Sequence, residues 1–232
     1  MTLMTDEPIV IAPPVGLLSL EDGADAELVS LLERRRSIRR LQGGPFSPPL
    51  RERLMEAVRL TPAAYNLPPW HVVLLHERRA EFWQMVEGAV RERLDGDRRE
   101  RYLDRLDGFR DGVAVAVFYE DTTVGAQIAQ AWQISDSQAD AFVQQGLGMA
   151  QLSLWLALTA EGLVTSLQHW DWLLEERLAT FVDAPEQFRL AAVMPIGYAG
   201  EAPRAVERLP VERVVSEERW TGWTGRGAAG RR

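Results

Sequence analysis

Five arginines fall within residues 34–40, Arg-Arg-Arg-Ser-Ile-Arg-Arg, of a 232-residue chain whose formal net charge is −8. Guanidinium groups stay protonated at any working pH and present a fork of donors suited to phosphate, so this basic run points to a bound anion. The run also suits the last turn of a helix, whose exposed carbonyls favour cations, and Leu28, Leu31 and Leu32 lay an apolar face just before it. Spacing alone leaves both readings open. The chain has no cysteine, which excludes disulfides, thiolate nucleophiles and Cys-ligated metal sites. Its three histidines, His71, His76 and His169, have no metal-ligand spacing, so no metal site is expected and redox chemistry would need an organic cofactor. No Gly-x-Gly-x-x-Gly turn stands between a strand and a helix, so a nicotinamide cofactor would have no nucleotide-binding domain of its own.

With 46% hydrophobic residues the chain can bury a sizeable core as one large domain or two small ones. Its acidic balance argues against a nucleic-acid partner, because phosphate-backbone affinity comes from a basic face rather than one short basic run. The longest apolar runs, at 113–119 and 152–160, fall short of the roughly 20 residues that span a bilayer, so no membrane association is expected. Asp6 and Glu7 stand where a secretory signal would be basic, and Pro13 and Pro14 interrupt the apolar stretch that follows. The expected setting is cytoplasmic, in keeping with the absence of cysteine.

The elements that must position these residues can be read in order. Residues 1–24 read as an extended N-terminal arm, with the first helix capped by Asp25. Gly43, Gly44 and Pro45 mark a turn, Ser47 and Pro48 open a helix carrying Leu50, Leu54, Ala57 and Val58, and Pro62 stops it. Residues 63–69 cannot be regular structure. Residues 71–75 read as a buried strand and 78–94 as a helix, and the dense charges of 91–110 read as a solvated helical excursion ending near Gly108. Residues 113–120 are the strongest strand, followed by a polar region. A long helix over 138–160 is nearly apolar all round at 149–158, which implies burial, and Gly162 caps it. A short strand at 164–167, a helix at 172–181 capped by Asp171, and a third buried strand at 190–194 ending at Pro195 complete the core. Residues 25–200 thus form one α+β domain with a central sheet, residues 201–223 a C-terminal extension, and residues 224–232 a disordered tail.

Read together, Arg35-Arg36-Ser37-Ile38-Arg39, Pro62-Ala63-Ala64-Tyr65-Asn66-Leu67-Pro68-Pro69-Trp70, Gly162-Leu163 before a strand, and Arg208-Leu209-Pro210 resemble the FMN-dependent nitroreductase family in order and spacing. Gly108-Phe109-Arg110, Gly148-Met149-Ala150-Gln151 and Ser166-Leu167-Gln168-His169-Trp170 look like its fatty-acid-repression-mutant type branch. The resemblance implies a mixed or antiparallel sheet flanked by helices, with terminal arms exchanged in a homodimer and the FMN site between subunits. It implies that Arg35 and Ser37, with Arg36 beside them, hold the FMN phosphate and ribityl chain, that Arg208 adds a second guanidinium to the phosphate, and that Asn66 bonds the ring edge. Leu167, Gln168 and His169 would bring backbone groups beside N5. Arg39 would lie near N1 and O2 as the catalytic cation, where negative charge gathers once hydride reaches N5.

The implied activity is reduction of small planar acceptors, such as nitroaromatics or quinones, by ping-pong hydride transfer from NADH or NADPH. Two other readings keep the same fold: a flavin-dependent dehydrogenase of a small natural-product ring, and a flavin-sequestering protein whose tryptophans around Trp132 and Trp170 close the pocket. The chain departs from the family with Ala63 where Ser is frequent and Pro68 where Gln is frequent, which leaves substrate choice open. Asn66 also suits a turn cap, Trp70, Trp155 and Trp170 also suit core filling, and His169 is assigned no catalytic role.

Overall fold

The computed structural model describes residues 24–220; the expectations for the N-terminal arm and for residues 224–232 lie outside them. The chain divides into two compact units, residues 1–201 and 202–232. In the first unit, a sheet runs in the order β1 (Leu41–Gln42), β5 (Phe188–Ala199), β3 (Ala114–Asp121), β2 (Trp70–Leu75), and β4 (Val164–Thr165) also pairs with β5. Among the described residues every ladder is antiparallel, and the one parallel pairing is an isolated bridge between Ser37 and Thr165.

β3 is buried on both faces because it lies between β5 and β2 under helices on either side. Val115, Val117 and Tyr119 face α3 (Arg79–Arg93), α4 (Gly96–Arg110) and α7 (Asp171–Phe181). Ala114, Ala116 and Phe118 face α2 (Pro48–Arg59) and α6 (Asp136–Ala160). The residue-by-residue apolar run of this strand is what burial on two faces demands. A register shift leaves Ala191 of β5 as the extra residue opposite Phe118 and Tyr119, and Glu120, next after Phe118 on the α6 face, pairs its buried carboxylate with the more exposed Arg189.

Several elements differ from the sequence reading. The helix α1 (Ala24–Arg34) begins before Asp25, and Asp171 is the first residue of α7 behind Trp170 rather than its cap. β2 is a half-exposed edge strand, not a buried one, because only β3 pairs with it. The charged excursion is a second helix, α4, separated from α3 by the extended Leu94, and its Leu106, Gly108 and Phe109 are buried rather than solvated. The polar region after β3 is a helix, α5 (Thr122–Trp132), whose Asp121 cap accepts the Thr123 N–H and whose Val124 and Ile128 pack on α6. Residues 64–66 form a 3-10 turn where no regular structure was expected. β5 continues through Pro195 to Ala199. Val193 exchanges hydrogen bonds with Gln168, so by alternation Pro195 turns its missing N–H toward the same side, where the β4 ladder is short. In α6, Met149 and Leu152 stay about 40% exposed (39% and 43%), so the apolar surround does not mean burial on every side within one chain.

The described residues of the second unit include the 3-10 turn Val211–Arg213, with Leu209, Val211, Val214, Val215 and Trp220 exposed. Among the described residues no helix is long and apolar enough to cross a membrane.

Candidate functional site

The arginine run leaves the end of α1 as extended chain. Ile38, 3% exposed, anchors it in the core, and the Ile38 N–H donates to the Thr165 carbonyl at 3.1 Å. Ser37 bridges Thr165, so Ser37 and Arg39 turn away from the core on either side of Ile38. The five guanidiniums have different surroundings. Arg36 folds back onto the carbonyls of Glu33 and Arg35. Arg40 donates to the Asp104 carboxylate at 2.5 Å, and that hydrogen bond raises the Arg40 pKa above its ordinary value. Arg35 lies over the ring of Trp155 on α6, 4.6 Å from its centroid, a cation–π contact. Arg34 is exposed at the helix end. Arg39 is also exposed, and its guanidinium has no ion pair or hydrogen bond among the described residues.

Among the described residues, two buried polar atoms beside this run have no hydrogen-bond partner: Trp155 Nε1, in the ring under Arg35, and Thr165 Oγ1, in the residue paired with Ser37. Leaving such atoms unmet is unfavourable by about 1–3 kcal/mol each, so they mark a place with unfilled hydrogen-bond capacity.

The strand–helix connection 166–170 lies on the same side, next to β5. Gln168 uses its N–H and carbonyl on Val193, both at 2.9 Å, and its side-chain amide donates to Ser166 Oγ at 2.7 Å and to the Leu167 carbonyl at 3.0 Å. Strand alternation therefore directs the backbone groups of Leu167 and His169 the other way. Trp170 is core, packed among Trp83 and Phe109. A cavity of about 360 Å³ opens beside His169, Asp171, Gln144, Gln151, Glu120 and Arg189. Its polar wall is organised by Glu120, which accepts from Arg189 at 2.9 Å and from Gln144 at 3.1 Å. Glu175, also in the wall, accepts the Leu190 N–H at 2.7 Å. Sequence reading missed this network; the one available signal was a carboxylate closing an otherwise apolar strand.

Asn66 stands elsewhere. It and Tyr65 adopt positive φ (57° and 55°) in the turn after α2, a conformation Asn tolerates better than most residues. Tyr65 stacks on Trp132 with centroids 4.1 Å apart, and Pro69 packs against Gly146 of α6. Gly146 and Trp155 are nine residues apart on α6, roughly 14 Å along the axis. The structure thus brings Arg35, Ser37 and the 166–169 connection together and holds Asn66 further along the same helix. Arg208 belongs to the second unit, where it is exposed.

Among proteins of known family, a match described as "Nitroreductase family" covers residues 32–198. A protein of Thermus thermophilus named NADH dehydrogenase is 29% identical over 210 residues, 82% of this chain and 95% of that one. The fold is shared with nitroreductase CinD of Lactococcus lactis, solved with chloramphenicol, at a TM-score of 0.72 and 22% identity over 82% of this chain and 98% of that one. It is also shared with a nitroreductase of Desulfitobacterium hafniense DCB-2 solved with FMN, at a TM-score of 0.63 and 18% identity over 83% and 98% of the two chains.

Proposed function

The chain belongs to the nitroreductase family, and from that premise we propose that it is an FMN-dependent oxidoreductase that takes hydride from NADH or NADPH and passes electrons to a small planar acceptor, a nitroaromatic or quinone. The observation that carries this reading is the convergence of Arg35 and Ser37 with the orphaned Trp155 Nε1 and Thr165 Oγ1. A cation, a hydroxyl and two unmet buried polar groups suit a phosphate and its polyol chain. The names of the Thermus relative and of the FMN-bound neighbour fit the same cofactor pair.

Bound FMN would supply hydride acceptance at N5, with negative charge gathering toward N1 and O2. The chain's part is binding and electrostatics. Arg35 would supply a charge-assisted donor for the phosphate, with Ser37 on the polyol side, and Arg208 stands as a second donor on the family resemblance alone. Arg36 is a lesser contributor, because its guanidinium already serves two carbonyls. Arg39 offers an uncommitted cation for N1 and O2. Leu167 and His169 present the backbone groups that Gln168 does not, so within the connection they, not Gln168, face the ring. With no dinucleotide-binding turn, donor and acceptor share one pocket, which implies ping-pong exchange.

A homodimer belongs to the proposal. Asn66 lies too far along α6 to serve the phosphate end of its own chain's site, and Met149 and Leu152 of α6 and Leu28, Val29 and Leu32 of α1 are exposed. A second copy covering these faces would bring its Asn66 to the ring edge. The proposal extends to the fatty-acid-repression-mutant type branch, on the resemblance of the motifs at 108–110, 148–151 and 166–170, and to a cytoplasmic setting. The sequestering reading loses its plug, since Trp170 is core and Trp132 stacks on Tyr65. The test is steady-state oxidation of NADH with a quinone at several fixed concentrations by FMN-loaded protein. Parallel double-reciprocal lines are expected; converging lines would exclude a shared pocket, and absent turnover would exclude the enzyme.

A further inference from the structure

The chain around Arg39 is held at its backbone from several directions, while among the described residues its guanidinium has no hydrogen bond or ion pair. One carboxylate oxygen of Glu201, just past the end of β5, accepts the N–H of Arg39 at 2.9 Å and the N–H of Arg40 at 3.2 Å. The Arg40 carbonyl accepts the N–H of Gly200 at 2.8 Å, and the Arg40 side chain is tied to Asp104 of α4. From the other side α4 presses Gly108 against the Arg39 carbonyl so closely that a Cβ there would lie well inside van der Waals contact with backbone. Only glycine permits that approach. Within the run, Arg39 thus combines a clamped backbone with an uncommitted guanidinium.

An N–H bonded to a carboxylate makes a stronger hydrogen bond than one bonded to a neutral acceptor, and two adjacent N–H groups on one oxygen fix the peptide plane between them. A cation that must meet charge developing at a fixed place acts best when it needs no reorganisation to do so. We propose that Glu201 is a positioning residue for the flavin reaction: its carboxylate, opposed by Gly108, sets the backbone from which the Arg39 guanidinium reaches the cofactor. The inference rests on the reading of Arg39 as the cation beside N1 and O2. It adds a residue that follows β5, beside Arg39 in space but remote in sequence, and that acts through Arg39 rather than on the cofactor. Glu201 is set 162 positions from Arg39 in sequence, so no local motif announces it.

The experiment uses Glu201→Ala, Glu201→Gln, Arg39→Ala and the Glu201→Ala/Arg39→Ala pair. Hydrogen exchange on FMN-free protein reads the clamp without the cofactor. Exchange at the amides of Arg39 and Arg40 is expected to quicken about tenfold in Glu201→Ala and to stay within about threefold of wild type in Glu201→Gln, whose amide oxygen still accepts. Anaerobic flavin reduction by NADH reads the role. Glu201→Ala is expected to slow it about tenfold, Glu201→Gln to restore most of the rate, and the pair to be no slower than Arg39→Ala alone. Unchanged exchange in Glu201→Ala would overturn the clamp, and equal slowing in the presence and absence of Arg39 would overturn positioning through that residue. Wild-type reduction by Arg39→Ala, with faster exchange in Glu201→Ala, would overturn the placement of Arg39 at the flavin and the positioning role with it, leaving a purely structural clamp.

Discussion

At the scale of single residues, the arginine run is five side chains with different tasks rather than one basic patch. In sequence the run suits an anion or a helix end, and the structure divides it: Arg34 ends α1, Arg36 and Arg40 bond the protein, Arg35 lies over Trp155, and the proposal assigns Arg35 and Arg39 to the cofactor. Identical side chains in one short run carry no signal of which will meet a carbonyl or an aspartate more than sixty residues away, so this division was not legible. Arg35→Ala removes a charge-assisted contact and is expected to weaken FMN binding by about 1.5–3 kcal/mol, whereas Arg36→Ala should change it by less than about 1 kcal/mol. Fluorescence titration with FMN checks both. Arg39→Ala should instead keep FMN at saturation and slow flavin reduction by about 10²–10³-fold, the loss associated with one preorganised donor. Stopped-flow comparison with FMN-saturated Arg35→Ala separates the two roles.

At the scale of elements, what hydrophobic periodicity specifies was readable and what pairing specifies was not. The run in β3 marked the strongest strand, which is buried throughout nearly its whole length, and of Leu50, Leu54, Ala57 and Val58 all but Ala57 form the buried face of α2. That β2 is an edge and that β5 passes through a proline depend on which strands lie alongside, which a single strand's sequence does not state. The starts of α5 and α6 did carry local signals. Asp121 caps one, and Ser135 with Gln138 forms a reciprocal capping box for the other, but the polar composition of 121–137 masked them. Phe118 fills the space between sheet and α6, and Phe118→Ala is expected to destabilise the fold by about 3–5 kcal/mol in urea unfolding. Between α3 and α4, hydrogen bonds first from Arg110 and then from Arg91 hold the Glu87 carboxyl below the usual carboxylate range. A depressed carboxyl pKa stabilises the fold above the unfolded-state value and ceases to do so as pH falls through the folded one. Glu87→Gln should therefore be less stable than wild type at neutral pH, with the gap narrowing as pH falls below about 4.3. Denaturant midpoints across that range give the test.

At the scale of the whole molecule, the proposed reading completes the candidate site with a second copy. Arg35 and Ser37 sit at one level of α6 and the Asn66 turn at another, with exposed apolar residues along the helix between and beyond them. If two chains join there, the interface should fall in the obligate class of about 2,000 Å² or more. Leu152→Glu should then yield monomers by light scattering that no longer retain FMN. The family was legible because its motifs are local and ordered along the chain, while the proposed completion of the site by a second copy has no such local signature. The central claim is that this chain holds FMN and that NADH or NADPH reduces it there. The most direct measurement is the visible spectrum of the purified protein, titrated with FMN and then given NADH or NADPH under anaerobic conditions. One FMN bound per chain, with its absorbance bleached on addition of one of the two nucleotides, is the predicted result; a protein that takes up no FMN, or whose bound FMN neither nucleotide bleaches, would contradict it.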